Sequence, residues 1–223
     1  MWPRTELFVE RHLNPASRLG EVLFGLIMVL SVTLTAGLTV AEGPAGVHQL
    51  LIAALGCNVA WGIIDGIMYV MNCMTERAEK AHLIHAIQRA PDASTALDVV
   101  RTEIEPRFEA LTGPENREVV SRSIREYLAR AEAPRIGVTK EDLHGAVACF
   151  LEVFLSCLPA ALPFFIFSEP TFALRVSNFL LIAMLFLVGD KWARYAHTNR
   201  LVTSLAMVAI GLALVGVAIL LGG

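Results

Sequence analysis

Apolar residues form five long blocks in this chain, and most polar residues lie between the second block and the third. The blocks cover residues 20–41, 47–73, 145–167, 171–189 and 201–221. Each is close to the roughly 20 residues that a helix needs to cross about 30 Å of hydrocarbon. The pattern predicts an all-α integral membrane protein with five transmembrane helices.

The polar segment 74–144 is predicted to be a helical cytosolic insert between helices two and three. It holds 24 of the 39 charged residues. Nothing breaks helix two before Pro91, so we expect it to continue into the insert. Asp92 can then cap a further helix, and Gly113-Pro114 separates that helix from the next. The predicted domains are helices one and two with the N-terminal segment (1–73), the insert (74–144), and helices three to five (145–223).

Lysine and arginine alternate along the chain in a way that predicts orientation. They occur before the first block, in the insert and after the fourth block, and are absent from the other two connections and from the C-terminus. Because cytoplasmic loops keep their basic residues, the N-terminus and the insert are expected in the cytoplasm and the C-terminus outside. A multi-pass protein of the cell (inner) membrane is the expected location. The first block is too long for a cleaved signal peptide, the competing interpretation.

Composition excludes several classes of function. The chain is 55% hydrophobic and 17% charged with a formal charge of −3, whereas soluble domains are about 25% charged. No clustered basic face indicates nucleic-acid binding. Phosphate-binding, nucleophile-elbow and zinc-protease motifs are absent from the sequence, so we expect no enzymatic activity. The four cysteines show no Cys-x-x-Cys spacing.

Two acids inside the predicted helices carry the most functional information. Asp65 and Glu152 both lie a few residues to the cytoplasmic side of the midpoints of helices two and three. An acid at this depth costs about 2.5–3.5 kcal/mol, so it normally faces protein, a cavity or an ion path. Asn58, Asp65, Asn72 and Glu79 are spaced seven residues apart, so they share one helix face and form a polar stripe along helix two. The alternative is that Asp65 is a buried acid that serves packing alone.

The surroundings of these acids are suited to a metal ion. Pro159 and Pro163 in helix three free backbone carbonyls, and carbonyls with carboxylates are hard oxygen ligands. Met68 would add a soft ligand, and such a mixture suits Fe²⁺ or Mn²⁺. The alternative is that the prolines only kink the helix. Glu21, at the end of the first block, is interpreted as an interfacial anchor.

The insert offers a second, weaker set of ligands. Glu79 and His82 form a Glu-x-x-His turn, the kind that supplies metal ligands in helix bundles. Glu115 and Glu118 are also three residues apart. A solvated face laced with ion pairs is the competing interpretation. The complete set of candidate metal ligands is Asp65, Met68, Asn72, Glu152, Glu79, His82, Glu115 and Glu118.

Five spans, a helical insert after the second, a proline-containing third span and a glycine-rich fifth resemble the vacuolar iron transporter family over nearly the whole chain. The closest stretches are 50–77, 150–167 and 183–223. The resemblance implies proton-coupled export of cytosolic Fe²⁺ or Mn²⁺ by a dimer whose acidic cytosolic domain gathers metal. The chain lacks the family's first-span aspartate: Ile27-Met28-Val29 stands in place of Asn-Asp-Gly.

Two functional hypotheses follow. The first is a divalent-metal exporter in which Asp65 and Glu152 bind the ion and exchange protons, with no permanently bound cofactor and Fe²⁺ or Mn²⁺ as cargo. The second is a membrane scaffold or regulatory protein that has the same fold and does not transport. A homodimer is expected in the first case, because Gly62-x-x-x-Gly66 provides a face for close helix approach.

Overall fold

The computed structural model describes residues 8–35 and 44–220. Within these ranges the chain is helical and contains no β-strand. Five helices are long and apolar enough to cross a membrane, in agreement with the five apolar blocks of the sequence. We name them the first to fifth spans; in chain order they are Pro15–Thr35, Pro44–Gln88, Lys140–Ile166, Pro170–Ala196 and Arg200–Leu220.

Two boundaries differ from the hydropathy blocks. The first span begins at Pro15, five residues before the predicted start, because Asn14 accepts a hydrogen bond from the Ser17 N–H at 2.9 Å and caps the helix there. The second span runs on to Gln88, which agrees with the prediction that only Pro91 stops it. Residues 42 and 43 of the predicted 42–46 loop lie outside the described residues, whereas residues 44–46 already belong to the second-span helix.

The chain divides into two compact units. One comprises Met1–Tyr69 with Lys140–Gly223, and the other comprises Val70–Thr139. The first unit contains a short N-terminal helix, Phe8–His12, that hydropathy did not predict. The largest core cluster of this unit contains residues of all five spans, among them Leu26, Ala54, Ala160, Leu185 and Val215.

The fourth and fifth spans are joined by only three residues. His197 ends the fourth span in the left-handed conformation, with a φ of 54°. The carboxylate of Asp190 pairs with Arg200 at the start of the fifth span. Further along, a Cβ atom on Gly189 would lie 2.6 Å from the Cα of Ser204, so only glycine allows the two backbones to approach this closely.

The second unit is built from the end of the long second-span helix and three shorter helices. These are Ala93–Glu103, Glu105–Phe108 and Pro114–Arg130. Asp92 caps the first of them as predicted, accepting from the Thr95 N–H at 2.7 Å. The hydroxyl of Ser94 and this cap lower the pKa of Asp92 to about 2. Ile87, Ala96 and Val100 form the core of the unit, and Ile124 and Leu128 pack against it.

Candidate functional site

Acidic side chains from the first three spans meet in the first unit, which we call the membrane unit. The half-buried carboxyl groups of Glu21 and Asp65 are hydrogen-bonded to each other, and the charge of Glu152 acts on Glu21 as well. The second oxygen of Asp65, Oδ2, is buried and has no hydrogen-bond partner in the described part of the chain. The two acids predicted to share a site therefore have a third acid, Glu21, between them.

A basic side chain completes this group. Nε of Arg18 donates a hydrogen bond to Oε1 of Glu152 at 2.9 Å, and the two side chains are 28% and 15% exposed. Partial burial strengthens the attraction between opposite charges. We call Arg18, Glu21, Asp65 and Glu152 the acid cluster; it contains three carboxyl groups and one guanidinium.

One to two helical turns away along each span, a second polar layer lies against the acid cluster. Gly25 follows Glu21 by four residues, Ser156 follows Glu152 by four, and Asn58 precedes Asp65 by seven, so each shares a helix face with its acid. A Cβ atom on Gly25 would lie 2.1 Å from Oγ of Ser156 and 3.2 Å from Oδ1 of Asn58. Glycine is therefore required for the three helices to meet here.

Asn58 is the least satisfied polar residue of this layer. It is fully buried, and its Nδ2 donates to the Ala54 carbonyl at 3.1 Å. Its Oδ1 has no hydrogen-bond partner among the described residues. A buried carbonyl oxygen without a partner is costly, and it offers a lone pair to a cation, a proton donor or a water molecule.

Beyond this second layer the helices close over apolar side chains. A cavity of only about 10 Å³ lies there, lined mainly by aliphatic residues such as Val29, Leu50, Ala54 and Ala160. Such a volume holds at most one water molecule. The row of polar residues formed by the acid cluster, Asn58 and Ser156 is thus closed by apolar side chains beyond Asn58.

Two other predicted ligands of the second-span helix are exposed. Met68 is 53% exposed, and Asn72 is exposed as well. Gly62 and Gly66, predicted to face a second chain, pack within this chain: Cβ atoms there would lie 2.9 Å from the Phe150 ring and 3.0 Å from the Ala146 carbonyl. The third span therefore covers the face on which the dimer argument relied.

The insert ligands fall into two separate places. Glu79 and His82 line a groove of about 1100 Å³ together with other acids, among them Glu76 and Asp98. Glu115 and Glu118 do not line it. Glu118 is held by Arg101 and Arg122 at 2.5 and 2.9 Å, and the hydrogen bond from Arg101 lowers the pKa of its carboxyl. Glu118 is thus occupied as an ion-pair partner, as the competing interpretation expected.

No protein-family model, curated protein or solved structure matches this chain. The resemblance to vacuolar iron transporters therefore rests on the sequence features alone. Sequence reasoning also missed two members of the acid cluster, Arg18 and Glu21. The dipeptide Asn14-Pro15 could have revealed them, because an asparagine before a proline is a helix start and places both residues inside the first span.

Proposed function

We propose that this protein is a proton-coupled transporter of divalent transition-metal ions, exporting Fe²⁺ or Mn²⁺ from the cytosol. The observation that carries the proposal is the hydrogen bond between the carboxyl groups of Glu21 and Asp65, with Glu152 nearby. Two carboxyl groups share a hydrogen bond only when one of them carries a proton. A divalent cation that enters the cluster replaces that proton, which is the elementary step of metal–proton exchange.

The second polar layer supports the proposal. Oδ1 of Asn58 has no partner among the described residues, and an ion leaving the carboxylates would meet it next, where Gly25 allows the helices to approach closely. Carboxylate and amide oxygens are ligands that suit Mn²⁺ and Fe²⁺. The apolar closure beyond Asn58 corresponds to a transporter that is shut on that side.

The insert has the role of gathering metal in this proposal. Its groove brings Glu79 and His82 together with further acids on one surface, which raises the local concentration of cations. In this proposal the insert and the N-terminus are cytoplasmic, which the distribution of basic residues favours. A homodimer belongs to the proposal through the family resemblance, although the Gly62/Gly66 face is covered within the chain.

One observation favours the second candidate function, a scaffold that does not transport. The guanidinium of Arg18 pairs with Glu152 and so neutralises a carboxylate that the transport mechanism needs for the ion. In that case the acid cluster holds the first three spans together, and its charges serve structure alone.

Metal flux into proteoliposomes tests the two candidates against each other. Fe²⁺ and Mn²⁺ uptake is measured with and without a pH gradient for the wild type, Asp65→Asn and Glu21→Gln. Glu126→Gln, which alters an exposed acid of the insert, is the matched control. Transport predicts gradient-dependent flux that both cluster variants lose and the control keeps. Absence of flux in the wild type, or full flux in a folded Asp65→Asn protein, contradicts the proposal.

A further inference from the structure

A second group of ligating side chains lies in the membrane unit, where the N-terminal helix meets the third span. His12, Glu141 and His144 each offer one ligand atom, and these atoms all lie within 4.8 Å of one another. Among the described residues this is the only such compact group of three or more histidine, cysteine or acidic side chains. None of its members was a candidate from the sequence.

The ring of His12 is already oriented for ligation. Its Nδ1 lies 2.8 Å from the carbonyl oxygen of Phe8, and because a carbonyl only accepts, Nδ1 must carry the hydrogen. The lone pair of the neutral ring then belongs to Nε2, which faces Oε2 of Glu141 at 3.5 Å. A backbone carbonyl that fixes the tautomer in this way is the usual support of a metal-binding histidine.

The other two ligands come from the first turn of the third span. Glu141 and His144 are three residues apart, so they share a helix face, and Nδ1 of His144 lies 4.0 Å from the same Oε2. An ion bound to nitrogen and oxygen at about 2.0–2.2 Å places its ligand atoms roughly 3.4 Å apart. The side chains of Glu141 and His144 are 80% and 52% exposed, so they are free to close the small remaining gap.

The position of His12 relative to the third span is fixed by packing. Leu13 is buried in a cluster with Ala148 and Cys149 of the third span. The hydroxyl of Tyr69 donates to the His12 carbonyl oxygen at 3.4 Å. The least mobile ligand is thus held against the helix that carries the other two.

We infer that His12, Glu141 and His144 bind one divalent transition-metal ion of the Zn²⁺ and Co²⁺ class. Two imidazoles and one carboxylate are a recurrent ligand set for such ions and leave the remaining positions to water. The inference is independent of the proposed transport, since it concerns an ion that fastens the N-terminal helix to the third span. The alternative is aromatic packing, because the ring centroids of His12 and His144 lie 5.4 Å apart.

Cobalt binding to the full-length protein in lipid nanodiscs tests the inference, with the visible absorption of Co²⁺ as the readout of nitrogen ligation. We expect one equivalent of Co²⁺ to account for this absorption, and we expect Zn²⁺ to displace it. Glu141→Gln and His144→Ala should each weaken its binding at least about tenfold. Both residues are exposed, so these variants are expected to fold, which thermal unfolding checks. His197→Ala, which removes an exposed histidine at the end of the fourth span, should bind as the wild type does.

Three results would overturn the inference. The first is the absence of Co²⁺ absorption in the wild type at millimolar metal. The second is unchanged binding in His144→Ala, which would leave the histidines as packed rings. The third is loss of the absorption in Glu152→Gln with retention in Glu141→Gln, which would assign the ion to the acid cluster. The experiment measures Co²⁺ binding and not metal flux, so its result does not depend on whether the protein transports metal.

Discussion

Arg18 and Glu152 join the first span to the third through a 2.9 Å hydrogen bond between residues 134 positions apart in the chain. The guanidinium is the one basic group of the acid cluster, and Glu21 and Asp65 are the cluster's other members. Arg18 is therefore the only group that offsets the negative charge of the cluster, whereas Glu152 is one of three groups that contribute to it.

Removing Arg18 should cost more stability than removing the charge of Glu152. Arg18→Gln leaves three acidic groups without a counter-charge, and we expect a loss of roughly 1–3 kcal/mol, below the 3–5 kcal/mol of a fully buried pair. Glu152→Gln removes one of three repelling acids and should cost less. The measurement is equilibrium unfolding in detergent micelles, with the double variant to complete the cycle. Equal losses in the two single variants would argue against a cluster that acts as a unit.

Two glycines of the first span should respond oppositely to alanine. At Gly25 a Cβ atom would lie 2.1 Å from Ser156 Oγ and 2.8 Å from the Val153 carbonyl, so Gly25→Ala should destabilise by about 1–3 kcal/mol. At Gly20 nothing lies within 4 Å, so Gly20→Ala should be neutral or stabilise by up to about 1 kcal/mol. Unfolding of both variants under one condition gives the comparison, and a tolerated Gly25→Ala would mean that the helices are further apart than described.

Acid should selectively weaken the helix that Asp92 caps. The pKa of Asp92 falls from its ordinary value of 3.8 to about 2, chiefly through the Ser94 hydroxyl. A depressed carboxyl pKa adds stability that is complete above the ordinary value and is lost as pH falls from about 4 towards 2. Asp92→Asn keeps the cap without the charge, so its stability should change less over that range. Thermal unfolding by circular dichroism, with Asp98→Asn as control, measures the difference.

Labelling should place the start of the second span and the insert on opposite sides of the membrane. In a background without the four native cysteines, Ala45→Cys should react with an impermeant maleimide from outside intact cells. Ser94→Cys should react only after permeabilisation, because the arginines and lysines of the insert predict a cytoplasmic location for it. Reaction of both positions from the same side would refute the five-span orientation.

Metal recruitment should depend on the groove and not on the neighbouring ion pairs. Glu79→Gln combined with His82→Ala should weaken metal binding by the full-length protein, since both side chains line the groove. Glu126→Gln should have no effect, because Glu126 contacts Arg125 at the exposed surface. Calorimetric titration with Mn²⁺ compares the variants. Identical isotherms would mean that Glu79 and His82 belong to an ordinary solvent-exposed surface and do not bind metal.

The sequence was sufficient to predict features that depend on a short stretch of chain, such as the number of long helices and the residues at which helices begin. Length and hydropathy gave five spans, and Asp92 and Pro114 marked helix starts that the structure contains. Asp65 and Glu152 were predicted as neighbours from their depth alone, and both lie beside Glu21. These inferences need only helix geometry and the cost of burying charge.

Features that depend on helix packing could not be predicted in the same way. Glu21 was interpreted as an interfacial anchor from its position at the end of the first block. Its contact with Asp65 depends on the rotation of two helices, which no local sequence pattern reveals. The Gly62/Gly66 face was assigned to a second chain, whereas Phe150 and Ala146 of the same chain occupy it. His12 and His144 are 132 positions apart, and no sequence spacing relates them.

The short connection at His197 bears on how the protein is made. The fifth span follows the fourth directly in the chain, and the pairing of Asp190 with Arg200 needs only ten residues of separation. Contacts of such short range form early, since little chain entropy is lost in making them. We therefore expect these two spans to leave the ribosome as a preformed helical hairpin and to enter the bilayer together. The first span would already be in place as their docking partner.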